Sequence, residues 1–285
     1  MFFEILKKEV VCENFCEKLF FNFIMQSTKK GKDMENNKIV KKVIGIKIGS
    51  SSLVDRNGKI KRTVISELAR QTRALLDCGH SIFIVTSGAV ACARNYGWSK
   101  NLCSAVGQQR LMRMYTCEFE KKGIIVAQAL LTDRELEKVN SDSIVCLLRE
   151  SFSEGIVFII NANDCIDNEE LKALEICADN DRLFGLVSEK ICADVSVIVF
   201  SERGFYDDKG KIISLVKVEN MKNIVNYAKG GNVMGHGRNG METKIKILCK
   251  LAEKKTKAVL VSVMEENFLL RAVDEEKDFG TRFVE

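Results

Sequence analysis

The sequence predicts an α/β protein: a three-layer αβα sandwich around a mostly parallel central sheet. Three observations carry this. Short, continuous apolar runs recur along the chain, as expected for strands buried on both faces. Longer stretches with apolar residues at helical spacing separate them. Gly, Ser, Asn and Asp cluster directly after the apolar runs, where open parallel sheets bind ligands.

The first run, Val43–Lys47, leads into Gly49-Ser50-Ser51. Val64, Leu68, Leu75 and Leu76 then fall on one helical stripe, which Gly79 closes. Ser81–Val85 is the second strand and ends in Thr86-Ser87-Gly88-Ala89. Leu111, Met112 and Tyr115 mark a helix that stops at Gly123. Four further strand runs follow, at Ile124–Val126, Ile156–Ile160, Val195–Phe200 and Ala258–Val263. Helices are expected around Asp181–Ile191 and Met241–Glu253. Strands alternating with helices give parallel pairing with helices on both faces.

Composition narrows the class. Hydrophobic residues make up 46% of the chain and charged residues 29%, which excludes both a disordered and a membrane-spanning protein. The net charge of +5 is dispersed, so it suits anionic substrates without pointing to nucleic acid. Proline is absent from all 285 residues, where average usage predicts about 14. That excludes Pro-rich linkers, PxxP ligands and cis-proline turns. The 11 cysteines include no CxxC pair, and His80 and His236 are the only histidines, so no zinc ligand set is present. Cysteines scattered through apolar runs read as small buried hydrophobes of a reducing compartment.

Residues 1–41 stand apart. Their uncharged run of about ten residues is too short to cross a bilayer. Glutamates and the lack of arginine argue against a transit peptide, and no small-residue cleavage site follows. Two readings stand side by side: an amphipathic helix packed on the domain or on a partner, or a translation start at Met25 or Met34.

The loops carry the chemistry. Small residues at Gly49, Gly88 and Gly240 let backbone N–H groups approach an anion. Each alone is more often a tight strand–helix turn. All three together, with Lys47 and Lys244, point to a polyphosphate. None fits GxxxxGKS/T, and no GxGxxG follows the first strand. Asp164, Asp179 and Asp181, with Asn163 and Asn180, can bind an ammonium group, order lysines or hold Mg²⁺. Turn and helix-cap chemistry is the equal alternative for each of them. No serine, cysteine or histidine is set up as a nucleophile.

The segments KIGSS, VTSGA, AVGQQRLM (Ala105–Met112), AQALLT (Ala127–Thr132), INAND (Ile160–Asp164), EICADNDRL (Glu175–Leu183), RGFY (Arg203–Tyr206), NGMETK (Asn239–Lys244) and GTRF (Gly280–Phe283) occur in this order. In them the chain resembles the amino acid kinase family, and within it the glutamate 5-kinases. The resemblance implies the amino acid kinase fold over residues 42–285, with no RNA-modifying-type (PUA) domain after it. It implies transfer of a phosphoryl group from ATP to the γ-carboxylate of L-glutamate, the first step of proline synthesis. Lys47, Lys244 and Asp181 would be catalytic. Ser87, Gly88, Asp164, Asn180 and Asp179 would hold glutamate. Lys47, Gly49, Ser50, Ser201, Gly240, Met241, Thr243 and Lys244 would hold ATP. Mg²⁺ would ride on the nucleotide, with no protein metal ligand assigned. The resemblance further implies a cytoplasmic dimer or tetramer, feedback by L-proline, and neither nucleic acid nor membrane as partner. Phe200-Ser201 replaces a usual Thr-Asp, and Glu242 puts an anion near the phosphate path unless a cation such as Arg238 pairs with it. These departures keep two alternatives open: a related kinase acting on another carboxylate, and a weakened homologue that binds glutamate or proline.

Overall fold

The computed structural model describes residues 40–136, 141–166, 180–221, 224–225, 238–274 and 279–285. The expected N-terminal helix, Asp179 and His236 lie outside the described residues. The elements run β1 (Val43–Ile48), α1 (Ser50–Leu53), α2 (Arg62–Asp77), β2 (Ser81–Val85), a 3-10 segment (Val90–Tyr96), α3 (Lys100–Glu120) and β3 (Val126–Leu131). Then come α4 (Asp133–Leu136), α5 (Ser141–Ser153), β4 (Val157–Ala162), α6 (Asn180–Ile191), β5 (Val195–Phe200) and β6 (Leu215–Lys217). A second 3-10 turn (Val218–Asn220), α7 (Arg238–Glu253), β7 (Lys257–Ser262), α8 (Phe268–Val273) and β8 (Thr281–Val284) complete the described chain.

Among the described residues the strands form one sheet in the order β3-β4-β2-β1-β5-β7-β8-β6. Pairing is parallel from β3 through β7, and the chain direction reverses at β8 and β6. Side-chain alternation splits the core into two layers. Along β2, Ile82 and Ile84 face one layer with Leu68, Leu111, Tyr115 and Phe268. Phe83 and Val85 face the other, with Leu183, Phe184, Ile245 and Leu248. Burial on both faces explains why the strands read as unbroken apolar runs. It also makes the architecture the three-layer sandwich that the sequence predicts.

Two elements begin elsewhere than the apolar pattern places them. The strand expected at Ile124–Val126 starts only at Val126 and runs to Leu131. The Ile124 N–H still donates to the Phe119 carbonyl and closes α3. β3 is an edge strand and only partly covered, so its apolar signal is weak. The glycine-rich segment before Lys244 is helical from Arg238 onward, so Gly240–Lys244 forms the first turns of α7 rather than a loop. The cysteines divide: Cys92, Cys103 and Cys249 are buried as expected, whereas Cys117, Cys146 and Cys192 are exposed. Burial raises the Cys92 and Cys249 thiols to about 11. No described helix is long and apolar enough to cross a membrane.

α3 lies directly on the loop that follows β2. A Cβ at Gly107 would sit 1.8 Å from the Ala89 carbonyl oxygen, which is backbone and has no flexible end to swing away. Gly107→Ala is therefore expected to separate α3 from the Ser87–Ala89 loop. We expect a loss of about 1–3 kcal/mol of stability, the usual cost of overpacking, measured as a lower urea midpoint. An unchanged midpoint would show that the close approach is not required.

Candidate active site

Parallel register brings the strand ends together. Lys47 on β1 lies opposite Val85 on β2 and Ile198 on β5, and Val85 lies opposite Ile160 on β4. The residues just beyond these positions converge at one edge of the sheet, where the sequence expects the site. The Gly49 N–H donates to the Val199 carbonyl at 3.3 Å, and the Ser51 and Ser201 hydroxyls are 3.0 Å apart. These contacts tie Gly49 and the start of α1 to the end of β5. Gly88 has φ +101°, a region costly for other residues. A Cβ there would meet Val54 at 3.1 Å and the Ser50 Cα at 3.7 Å, so the loop after β2 packs against α1. Ser87 beside it is 8% exposed.

The centre of the site is Asp181. It stands at the start of α6, where the helix dipole favours an anion. Lys47 Nζ pairs with its Oδ1, and Lys244 Nζ lies 3.0 Å from its Oδ2. Lys244 also donates to the Gly240 carbonyl at 2.9 Å, one turn back along α7. Lys47 and Asp181 are each 4% exposed. Burial pushes the Asp181 carboxyl up, but the charges and hydrogen bonds of Lys47 and Lys244 outweigh it and hold the group below its ordinary value. Met241 and Thr243 share the first turns of α7. Glu242 is paired with Lys246 at 2.8 Å, an i,i+4 partner.

A second group of polar residues gathers at the end of β4. Asn180 Oδ1 accepts the Ala162 N–H at 3.0 Å. Asn161, 1% exposed, donates from Nδ2 to Gln108 Oε1 at 2.6 Å. Asp164 lies 3.6 Å from Lys100 Nζ. Between α3, β3 and this turn opens a cleft of about 600 Å³, lined by Gln108, Arg113, Gln128, Asn163 and Asp164 among others. The structure thus brings Lys47, Asp181 and Lys244 into direct contact, and ties Asn180 to the strand that ends in the Asn163–Asp164 turn. Gln108 and Lys100 do not stand out in the sequence. The signal for Gln108 lies in the AVGQQRLM segment, whose inward-facing helical position looks the same as core. Among the described residues no group of three His, Cys, Asp or Glu side chains could hold a metal ion.

Comparison with known proteins bears on the family and the fold. The model of the amino acid kinase family matches residues 42–262. The chain belongs to the amino acid kinase family. It is 31% identical over 257 residues to the glutamate 5-kinase of Streptococcus sanguinis, covering 85% of this chain and 68% of that one. It is 34% identical over 217 residues to that of Sodalis glossinidius, covering 70% of this chain and 57% of that one. A Giardia lamblia carbamate kinase structure bound to AMP-PNP superposes with a TM-score of 0.63 over 87% of this chain and 99% of that one. At 13% identity that likeness concerns the fold.

Removing the Asp181 charge takes the carboxylate away from buried Lys47. Asp181→Asn is expected to lose about 3–5 kcal/mol of stability near pH 7, the cost of breaking a buried pair. The folded-state pKa of Asp181 is depressed. Its contribution is therefore present above the unfolded value of about 3.9 and is lost as pH falls through the lower folded value. The gap between wild type and variant, read from urea unfolding, should narrow below about pH 4. A gap independent of pH would contradict this account.

Proposed function

We propose that the chain is a glutamate 5-kinase, with residues 42–285 as its kinase domain. It transfers the γ-phosphoryl group of ATP to the γ-carboxylate of L-glutamate and yields ADP and L-glutamyl 5-phosphate. The observation that carries the reading is the Lys47–Asp181–Lys244 cluster at the strand ends. The relatives named glutamate 5-kinase support the choice of acceptor.

The acceptor is a carboxylate, ionised at neutral pH, so the reaction needs no general base. A γ-carboxylate oxygen attacks the γ-phosphorus as the bond to the β–γ bridging oxygen breaks, and ADP leaves with that electron pair. What remains for the protein is alignment and charge neutralisation. Lys47 and Lys244 face the transferring group and offset its developing charge, while Asp181 fixes both ammonium groups. Ser87, Gly88, Asp164, Asn180 and Asp179 hold the amino acid. Gly49, Ser50, Ser201, Gly240, Met241 and Thr243 line the nucleotide side with the two lysines. Mg²⁺ carried in by the nucleotide would supply further charge neutralisation during the transfer. The donor set fits an ion that arrives on the phosphates, because both Asp181 oxygens are turned to lysines. Of the two departures behind the weakened-binder alternative, the Glu242 carboxylate is paired with Lys246, and Ser201, in place of the usual acid, has its hydroxyl 3.0 Å from that of Ser51. We place the enzyme in the cytoplasm as a homo-oligomer subject to inhibition by L-proline.

Coupled ADP release with hydroxamate trapping of the acyl phosphate tests the activity. Glutamate-dependent turnover is expected, and Lys244→Ala should lower kcat by about 10²–10³, as loss of one preorganised charge does. No glutamate-dependent ADP release at millimolar glutamate would refute the assignment.

A further inference from the structure

Lys100 opens α3 and faces the turn after β4. Its ammonium lies 3.6 Å from Asp164 Oδ1, with side-chain exposures of 46% and 13%. The neighbouring residues already fasten this junction. Asn101 Nδ2 donates to the Cys165 carbonyl at 3.1 Å, and Ser99 Oγ caps α3 by accepting the Leu102 N–H at 3.3 Å. An ion pair whose lysine is half-exposed adds little to stability, and Asn101 and Ser99 hold the junction beside it. What the pair provides is one cation and one anion, a few ångströms apart, with Asp164 lining the cleft.

That arrangement complements an α-amino acid, which carries an ammonium and a carboxylate on one carbon. We infer that Lys100 is a specificity-determining residue that binds the α-carboxylate of the substrate while Asp164 takes its α-ammonium. The inference rests on the glutamate-kinase reading and extends it. On binding, one internal ion pair is exchanged for two pairs with the substrate, so neither protein charge is left unpaired. The α-carbon is anchored by this pair, and the γ-carboxylate is free to extend toward Lys47 and Lys244. Acids that lack the α-carboxylate lose the Lys100 contact and are discriminated against.

The test compares L-glutamate with γ-aminobutyrate, which keeps the ammonium and the reacting carboxylate but lacks the α-carboxylate. For Lys100→Met, the KM for L-glutamate should rise at least tenfold, about 1.4 kcal/mol, with kcat changed less than threefold. Lys100→Arg should recover most of the lost affinity. With γ-aminobutyrate as substrate, kcat/KM should change less than threefold in Lys100→Met. Where its turnover is too slow, the competitive Ki against L-glutamate replaces that readout, with the same threefold bound. An unchanged KM for L-glutamate, or equal losses for both acids, overturns the inference. A wild-type enzyme without glutamate-dependent turnover instead overturns the parent reading, so the two failures are distinguishable.

Discussion

The site depends on one interaction: the carboxylate of Asp181 shared between two lysines far apart in sequence. Two ammonium groups brought together in a poorly solvated pocket repel each other, and each loses hydration. A single anion between them converts the repulsion into two attractions. The arrangement holds Lys47 from the end of β1 and Lys244 from the start of α7 in fixed positions before any substrate arrives. Such preorganisation is what makes a charge effective in a transition state, because no reorganisation is needed at the moment of reaction. The arrangement also explains why Asp181 stands at the start of a helix. The dipole of α6 supports the same anion and reduces the cost of burying it.

Most of the architecture is legible in the sequence because burial on both faces leaves a direct trace. Ser81–Val85 and Val195–Phe200 coincide with their apolar runs, residue for residue. β3 departs from its apolar run because an edge strand needs no continuous apolar pattern, and because Ile124 belongs to the helix end that precedes it. β6 and β8 leave no such trace: three and four residues at the reversed margin of the sheet carry too little periodicity to register. Gly240 suggests a loop because glycine usually breaks helices. In the structure Gly240 sits inside α7, and its carbonyl accepts from Lys244 Nζ at 2.9 Å.

The candidate site is legible in its charges but not in its supports. Lys47, Asp181 and Lys244 can be picked out as charged residues at the end of a strand or in the first turns of helices. That one carboxylate joins both lysines is a matter of tertiary placement, invisible to spacing. Gln108 and Gly107 are harder still. One is a polar residue on the buried side of α3 that holds Asn161, and the other is a gap that fits the Ala89 carbonyl. In a single sequence both look like ordinary helix residues, because their value lies in what they touch.

α6 then has a role beyond covering the sheet. Its first two described residues serve different parts of the site. Asn180 accepts a hydrogen bond from the end of β4, next to the turn that carries Asp164, while Asp181 holds the two lysines. Consecutive helical residues project about 100° apart, so one helix start can reach both the end of β4 and the two lysines. In the proposed reaction, the spacing between the turn that would grip the amino acid and the lysines that its carboxylate would meet is thereby set by rigid backbone. Carboxylate phosphorylation needs neither base nor covalent nucleophile, and this fixed spacing, with the charge held at one end of it, is the contribution left for the fold to make.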